Sequence, residues 1–390
     1  MANPPFLRSP ALRLFLSGAA LMLGGCATKS TAKATENNPP AKVAPVESIG
    51  GYAINDANFL ELGYRRDWTA FPYVGKKEKL QMLQPAGDAV LTLESGSTIT
   101  ALETSNGAIR WANEVATPLA RIVGLNRVGD KIFVSEDSEL IFLSATNGDT
   151  LNRQDYSRVV NTPPVIIGGL CIYGTTTGHV LAHRLDLGLS RWSFLLKGAI
   201  DHKPVSVMPL DSDDAVIGAV SQSGQYVFLS SKTGKPLGRG EIFAGIDTDP
   251  IAAQGLMIVA GRDQSLWGLR PNGEVAWRVR ADLPLSRQPS TDGKTVWCQM
   301  GTEGLCAIDA ATGKILWSNR VVEGTVIGTR AGGLLVWNGS LALILDRDRG
   351  DIVRSFVVPN TAILQTDKFE DGNLYAVSDK GVVVRFVPRS

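Results

Sequence analysis

Short apolar runs alternate with polar turns along most of the chain, and the alternation itself repeats. The stretch "DKIFVSEDSELIFLSATNG" (130–148) holds two runs in which apolar and polar residues alternate around a polar turn, and "GLMIVAGRDQSLWGLRPNG" (255–273) repeats it. A period of two predicts antiparallel hairpins with one buried face. Another strand-like run precedes each hairpin, opened by Pro164, Pro204, Pro250 or Pro289. A strand tolerates a residue without an N–H at that first position. A fourth run follows each hairpin after a glycine turn, and helical periodicity is nearly absent.

The turn glycines set a longer period. Gly107, Gly148, Gly188, Gly234, Gly273, Gly313 and Gly350 follow one another at spacings of 41, 40, 46, 39, 40 and 37 residues. Glycine supplies positive φ at a turn at low steric cost. Trp111, Trp192, Trp277 and Trp317 each stand four residues after such a glycine. A Trp there lies across the turn between neighbouring units and buries on the order of 150–250 Å². The other three units carry Asn152, Gly238 and Arg354 at that position and are expected to be the softer sectors. Four strands in about 40 residues make one propeller blade.

Seven units end near Gly350, and the last segment, 361–390, supplies only three strands of an eighth. In "GYRRDWTAF", Trp68 stands without a blade of its own, 43 residues before Trp111. The predicted fold is therefore all-β: an eight-bladed β-propeller of four-stranded antiparallel blades, its ring closed by an N-terminal strand that covers the open edge. A seven-bladed ring is the alternative if the weak fourth unit is miscounted.

The first residues follow different rules. Arg8 and Arg13 precede an apolar run, Leu14 to Leu23, too short to span a bilayer, which ends in Leu23-Gly24-Gly25-Cys26. This order resembles the lipobox of bacterial lipoproteins, in which cleavage before the cysteine exposes it for lipidation; a secreted protein with an incidental Cys26 is the other reading. Residues 1–25 are predicted to be a lipoprotein signal peptide. Residues 26–58 are predicted to be lipidated Cys26 with a flexible tether rich in Ala, Lys, Thr, Asn and Pro, and residues 59–390 the propeller. Such a tether has a typical end-to-end distance of roughly 30 Å. Ala27 follows the cysteine where an Asp would suggest inner-membrane retention in enteric bacteria, which favours the outer membrane.

Charge and candidate chemistry add mostly exclusions. The 39 Lys and Arg nearly balance 38 Asp and Glu, which argues against a nucleic-acid partner. His179 and His183 lie roughly 13 Å apart along one strand, too far for one metal ion. No nucleophile elbow, P-loop or dinucleotide fingerprint occurs. The acidic "DSDD" at 211–214 reads as a solvated turn. Cys298 and Cys306 flank the 301–304 turn, so a cross-strand disulfide and two buried thiols are both open. The chain is predicted to be no enzyme, with no catalytic residue, metal or cofactor.

The unit "LCAIDAATGKILW" (305–317) is its cleanest copy and resembles the PQQ-like β-propeller family, which includes quinoprotein dehydrogenases. Those enzymes carry adjacent cysteines, a Ca²⁺ held by Glu, Asn and Asp, and an Asp base. No two cysteines are adjacent here, and no comparable acidic cluster occurs. Lipobox, tether and eight minimal blades together resemble the BamB family of outer-membrane assembly lipoproteins. That resemblance implies a non-enzymatic scaffold, lipid-anchored to the outer membrane and facing the periplasm. Its implied partners are the β-barrel assembly machinery, through the periplasmic domain of its barrel component, and unfolded β-barrel substrates.

The same resemblance implies a partner-binding loop at "GIDTDP". Asp247, Thr248 and Pro250 match the family's acidic loop, while Gly245 replaces its first acid and Asp249 a Thr. On the residues alone, Asp247 and Asp249 orient the turn before Pro250. A second contact loop of the family corresponds to "LLKGAIDHKP" (195–204), which lacks that family's Arg. The alternative functions are a PQQ-binding, quinoprotein-like redox protein and a general envelope interaction or sensor propeller.

Overall fold

A computed structural model describes residues 54–117, 119–207 and 214–389. The predicted leader, Cys26, nearly all of the predicted tether and residues 211–213 lie outside the described residues. Among the described residues, thirty-two strands form eight four-stranded antiparallel sheets. In blades 1 to 7 the four strands are consecutive in sequence and in space, over 80–114, 122–155, 165–195, 205–241, 251–280, 290–319 and 325–357. Inner strands of successive blades neighbour one another, so the sheets ring a central axis. Pro164, Pro204, Pro250 and Pro289 each directly precede an inner strand, as the missing N–H requires. The weak fourth unit is a complete blade whose inner strand is reduced to Val205–Ser206.

Blade 8 takes Thr361–Thr366, Leu374–Ser378 and Val383–Pro388 from the end of the chain and Tyr64–Ala70 from its beginning. The closing strand runs antiparallel to Val383–Pro388, from Tyr64 opposite Pro388 to Ala70 opposite Val383. A short helix, Asp56–Glu61, precedes it and crosses the predicted tether boundary at 58/59. Asn55 starts the helix by accepting a hydrogen bond from the Ala57 N–H at 3.0 Å. Phe59 stacks on Phe386 at 3.9 Å. Ile54, Phe59, Leu62 and Tyr64 join one apolar cluster with Leu335 and Ala342 of blade 7 and Leu374 and Phe386 of blade 8. Two arginines hold the carbonyl end of the helix, where cations are favoured. Arg330 donates to the Gly63 carbonyl at 3.0 and 2.8 Å. Arg354, which stands where other blades have Trp, donates to the Glu61 carbonyl at 2.9 Å.

Each Trp after a turn seals its blade against the next. The indole N–H donates to the carbonyl three residues before the next blade's glycine: Trp68 to Thr104, Trp111 to Ala145, Trp192 to Ser231, Trp277 to Ala310 and Trp317 to Arg347, at 2.8–3.1 Å. The glycines are obligatory because a Cβ on Gly148 would meet Trp111 at 2.5 Å, and one on Gly313 would meet Trp277 at 2.7 Å.

The blades without Trp are not left open. Opposite Trp111, Trp192, Trp277 and Trp317 in the neighbouring strand stand Ala101, Ala182, Gly268 and Ala307. Opposite Asn152, Gly238 and Arg354 stand Phe142, Phe228 and Ile344. The missing volume is thus returned from the adjacent strand. Hydrogen bonding is replaced as well: Gln154 donates to the Leu185 carbonyl, three residues before Gly188, at 2.9 Å, and Tyr226 donates to the Gly273 carbonyl at 2.8 Å. Replacing Trp277 by Ala is expected to cost about 3–5 kcal/mol. Asn152→Ala is expected to stay within about 0.5 kcal/mol; urea midpoints of the two variants check the contrast.

Candidate partner-binding face

Strand order divides the loops between two faces. The glycine turns and the links from inner to second strands occupy one face. The other carries the turns in the middle of each blade and the links from one blade's outer strand to the next blade's inner strand. "GIDTDP" is a link of the second kind, between Pro236–Glu241 and Ile251–Ala253.

Asp247 accepts from Arg262 Nε at 2.7 Å, and that hydrogen bond holds its carboxyl below the usual carboxylate range. Asp249 ties three blades together. Its Oδ1 accepts from the Lys203 N–H at 2.9 Å and lies 3.4 Å from His202 Nδ1. Its N–H donates to Gln288 Oε1 at 3.0 Å, and Gln288 Nε2 donates back to the Asp249 carbonyl at 3.0 Å. Thr248 is buried, and its hydroxyl has no hydrogen-bond partner among the described residues. The structure therefore brings Asp247 and Asp249 to the surface and turns Thr248 inward. Equivalent links do the same stitching: Asn161 accepts from Arg121 at 2.6 Å and donates to Asp201. Beside the Asp249 loop, a cavity of about 520 Å³ is lined by Val165, Lys203, Pro204, Asp249, Pro250 and Gln288.

In every blade an exposed apolar side chain stands between the last residue of the outer strand and five residues beyond it. In chain order these are Phe71, Leu119, Val159, Leu195, Phe243, Leu283, Val321 and Val357. Leu119 and Phe243 are 97 % and 82 % exposed, and Phe243 lies four residues before Asp247. In the turns of the opposite face the exposed large apolar residues are Val128 and Leu187, while a second row, from Ile109 to Val353, marks the starts of the outer strands. Sequence reasoning missed the first ring. Its members lie at no fixed distance from the glycines or from the ends of the outer strands, so no sequence period marks them.

Cys298 and Cys306 stand opposite each other in register. Both are free and buried, and burial pushes their thiols up to about 12 and about 11. No two cysteines are adjacent, and among the described residues no group of three or more His, Cys, Asp or Glu is placed to hold a metal. No helix among the described residues is long and apolar enough to cross a membrane.

The sequence profile of a family described as outer membrane protein assembly factor BamB matches residues 65–194, 192–344 and 270–386. No curated protein matches the chain. The crystal structure of BamB from Moraxella catarrhalis superposes with a TM-score of 0.61 at 20% identity, covering 80% of this chain and 96% of that one. The computationally designed Ika8 protein superposes with a TM-score of 0.66 at 11% identity, covering 83% of this chain and 99% of that one. At these identities the two structures share the fold.

Proposed function

Because the chain belongs to the family of outer membrane protein assembly factor BamB, we propose that it is a non-enzymatic scaffold that assists assembly of outer-membrane β-barrel proteins. In this reading Cys26 is lipidated after removal of residues 1–25, and the propeller faces the periplasm from the outer membrane. Its partners are the β-barrel assembly machinery, contacted through the periplasmic domain of the barrel component, and unfolded β-barrel substrates. The observation that carries the reading is the ring of exposed apolar side chains around the loop that presents Asp247 and Asp249. An apolar anchor beside fixed charges is the usual make-up of a protein-binding surface. Phe243 is the anchor nearest the acids. Asp247, held ionised by Arg262, supplies charge at the rim. Asp249 contributes by fixing the loop between its neighbours.

Affinity capture of the full-length, lipidated protein from detergent-solubilised membranes tests this. The barrel component is expected among the recovered proteins. Phe243→Ser combined with Asp247→Ala is expected to lower that recovery about tenfold, as loss of an interface hot spot does, with the thermal midpoint unchanged. Failure to recover the barrel component while another partner is enriched, or full recovery with the double variant, would sink the reading.

A further inference from the structure

The link "FPYVGKKEK" (71–79) leaves the closing strand of blade 8 and enters blade 1. Phe71 and Tyr73 are 66 % and 57 % exposed. Lys76, Lys77 and Lys79 are exposed, and among the described residues their side chains form no ion pair or hydrogen bond. The one acid of the link, Glu78, is turned back onto the Ser95 hydroxyl. The backbone is held in place: the Tyr73 N–H donates to Thr100 Oγ1 at 3.2 Å, the Glu78 N–H to the Gly75 carbonyl at 3.0 Å, and the Lys79 N–H to Ser95 Oγ at 3.2 Å. The rings and ammonium groups are thus displayed by a fixed loop.

We propose that this link is a membrane-contact element that docks on an anionic lipid bilayer, with Phe71 and Tyr73 in the interfacial layer and the three lysines against lipid phosphates. Aromatic rings with one apolar body settle at the membrane–water interface. Each Lys or Arg held near an anionic surface strengthens binding about fivefold. Lysines suit such a diffuse field, whereas a defined carboxylate partner is better matched by the planar fork of Arg. Position supports the same occupant. Ile54 precedes the helix Asp56–Glu61 and packs with it against blades 7 and 8, and this link departs from the strand that follows. The location of the bilayer rests on the lipid anchor in the reading above, whereas affinity for lipid belongs to the loop and is measured without the anchor.

Residues 47–390 form one compact unit that contains all eight blades and the closing strand, and so suit the test. That protein is expected to co-sediment with mixed phosphatidylcholine/phosphatidylglycerol vesicles and to remain in solution with phosphatidylcholine alone. Lys76→Gln, Lys77→Gln and Lys79→Gln together are expected to lower partitioning about a hundredfold, at about fivefold per lysine. Phe71→Ser with Tyr73→Ser is expected to lower it without moving the thermal midpoint. No co-sedimentation with the mixed vesicles at low salt overturns the proposal, as do equal binding to both vesicles and binding that survives both sets of substitutions. Loss of barrel-component capture in the lysine variant, with no vesicle binding by the parent, overturns it in favour of an acidic protein partner. Vesicle binding that persists while capture of the barrel component fails overturns the assembly reading alone.

Discussion

A chain beginning at Phe71 is expected not to fold cooperatively, although every strand of blades 1 to 7 remains. The segment removed carries Phe59, Leu62, Tyr64 and Trp68, all buried at the seam. Burying four side chains of that size stabilises by about 6–12 kcal/mol, comparable to the whole stability of about 5–15 kcal/mol typical of folded domains. The loss also strips Val383–Pro388 of its antiparallel partner, leaving an unpaired edge that promotes aggregation. Arg330, bonded to the Gly63 carbonyl and placed 5.4 Å from the Tyr64 ring, would lose both contacts. A permuted chain that starts at Phe71 and ends with residues 54–70, attached after Arg389 by a flexible linker, restores the missing strand. It is expected to recover a single cooperative thermal transition and near-ultraviolet dichroism. If the truncated chain melts as cooperatively as the 47–390 protein, ring closure by this segment is not what holds the fold together.

The repeat was legible because its marks are local. Gly313 and Trp317 sit four residues apart in sequence, and Trp68 without a blade of its own marks the closing strand. What stayed hidden is encoded across strands. Phe142 compensates for Asn152 only because the two are paired by register, ten residues apart through a hairpin with a bulge. Sectors that looked soft in the sequence are therefore filled. The helix Asp56–Glu61 escaped notice for a related reason: six residues carry too short a period to detect, and its stability comes from the groove between blades 7 and 8. At the candidate site, the family resemblance drew attention to Asp247 and Asp249. The partners that position them, Arg262, Lys203 and Gln288, come from 15, 46 and 39 residues away. The cross-strand position of Cys298 and Cys306 was readable because their hairpin is short.

Making the blades more alike is expected to damage the fold, and to do so unequally. Gly238→Trp gives blade 4 the residue found in five others, yet is expected to cost at least about 3 kcal/mol, the upper range for overpacking. The neighbouring strand already offers Phe228 and Tyr226 instead of a small residue. A Cβ on Gly238 would also overlap the backbone of Asn272 and Gly273 in blade 5. Trimming Phe228 to Ala removes only the first obstacle, so the double variant Gly238→Trp/Phe228→Ala is expected to remain destabilised. Blade 2 differs. Residue 152 faces Phe142, and the next blade's Gly188 is covered by the flexible side chain of Gln154 at 3.3 Å from its Cβ position. Asn152→Trp alone is expected to cost about 1–3 kcal/mol, and Asn152→Trp/Phe142→Ala to regain most of it, because both obstacles are side chains. Urea unfolding of these four variants together with Phe228→Ala and Phe142→Ala alone reads the result through the pairwise coupling, strongly favourable in blade 2 and near zero in blade 4. Equal rescue in both blades would mean that the close approach of Gly238 to the Asn272–Gly273 backbone does not constrain the ring, and that Trp or its absence at each unit is set by side-chain volume alone.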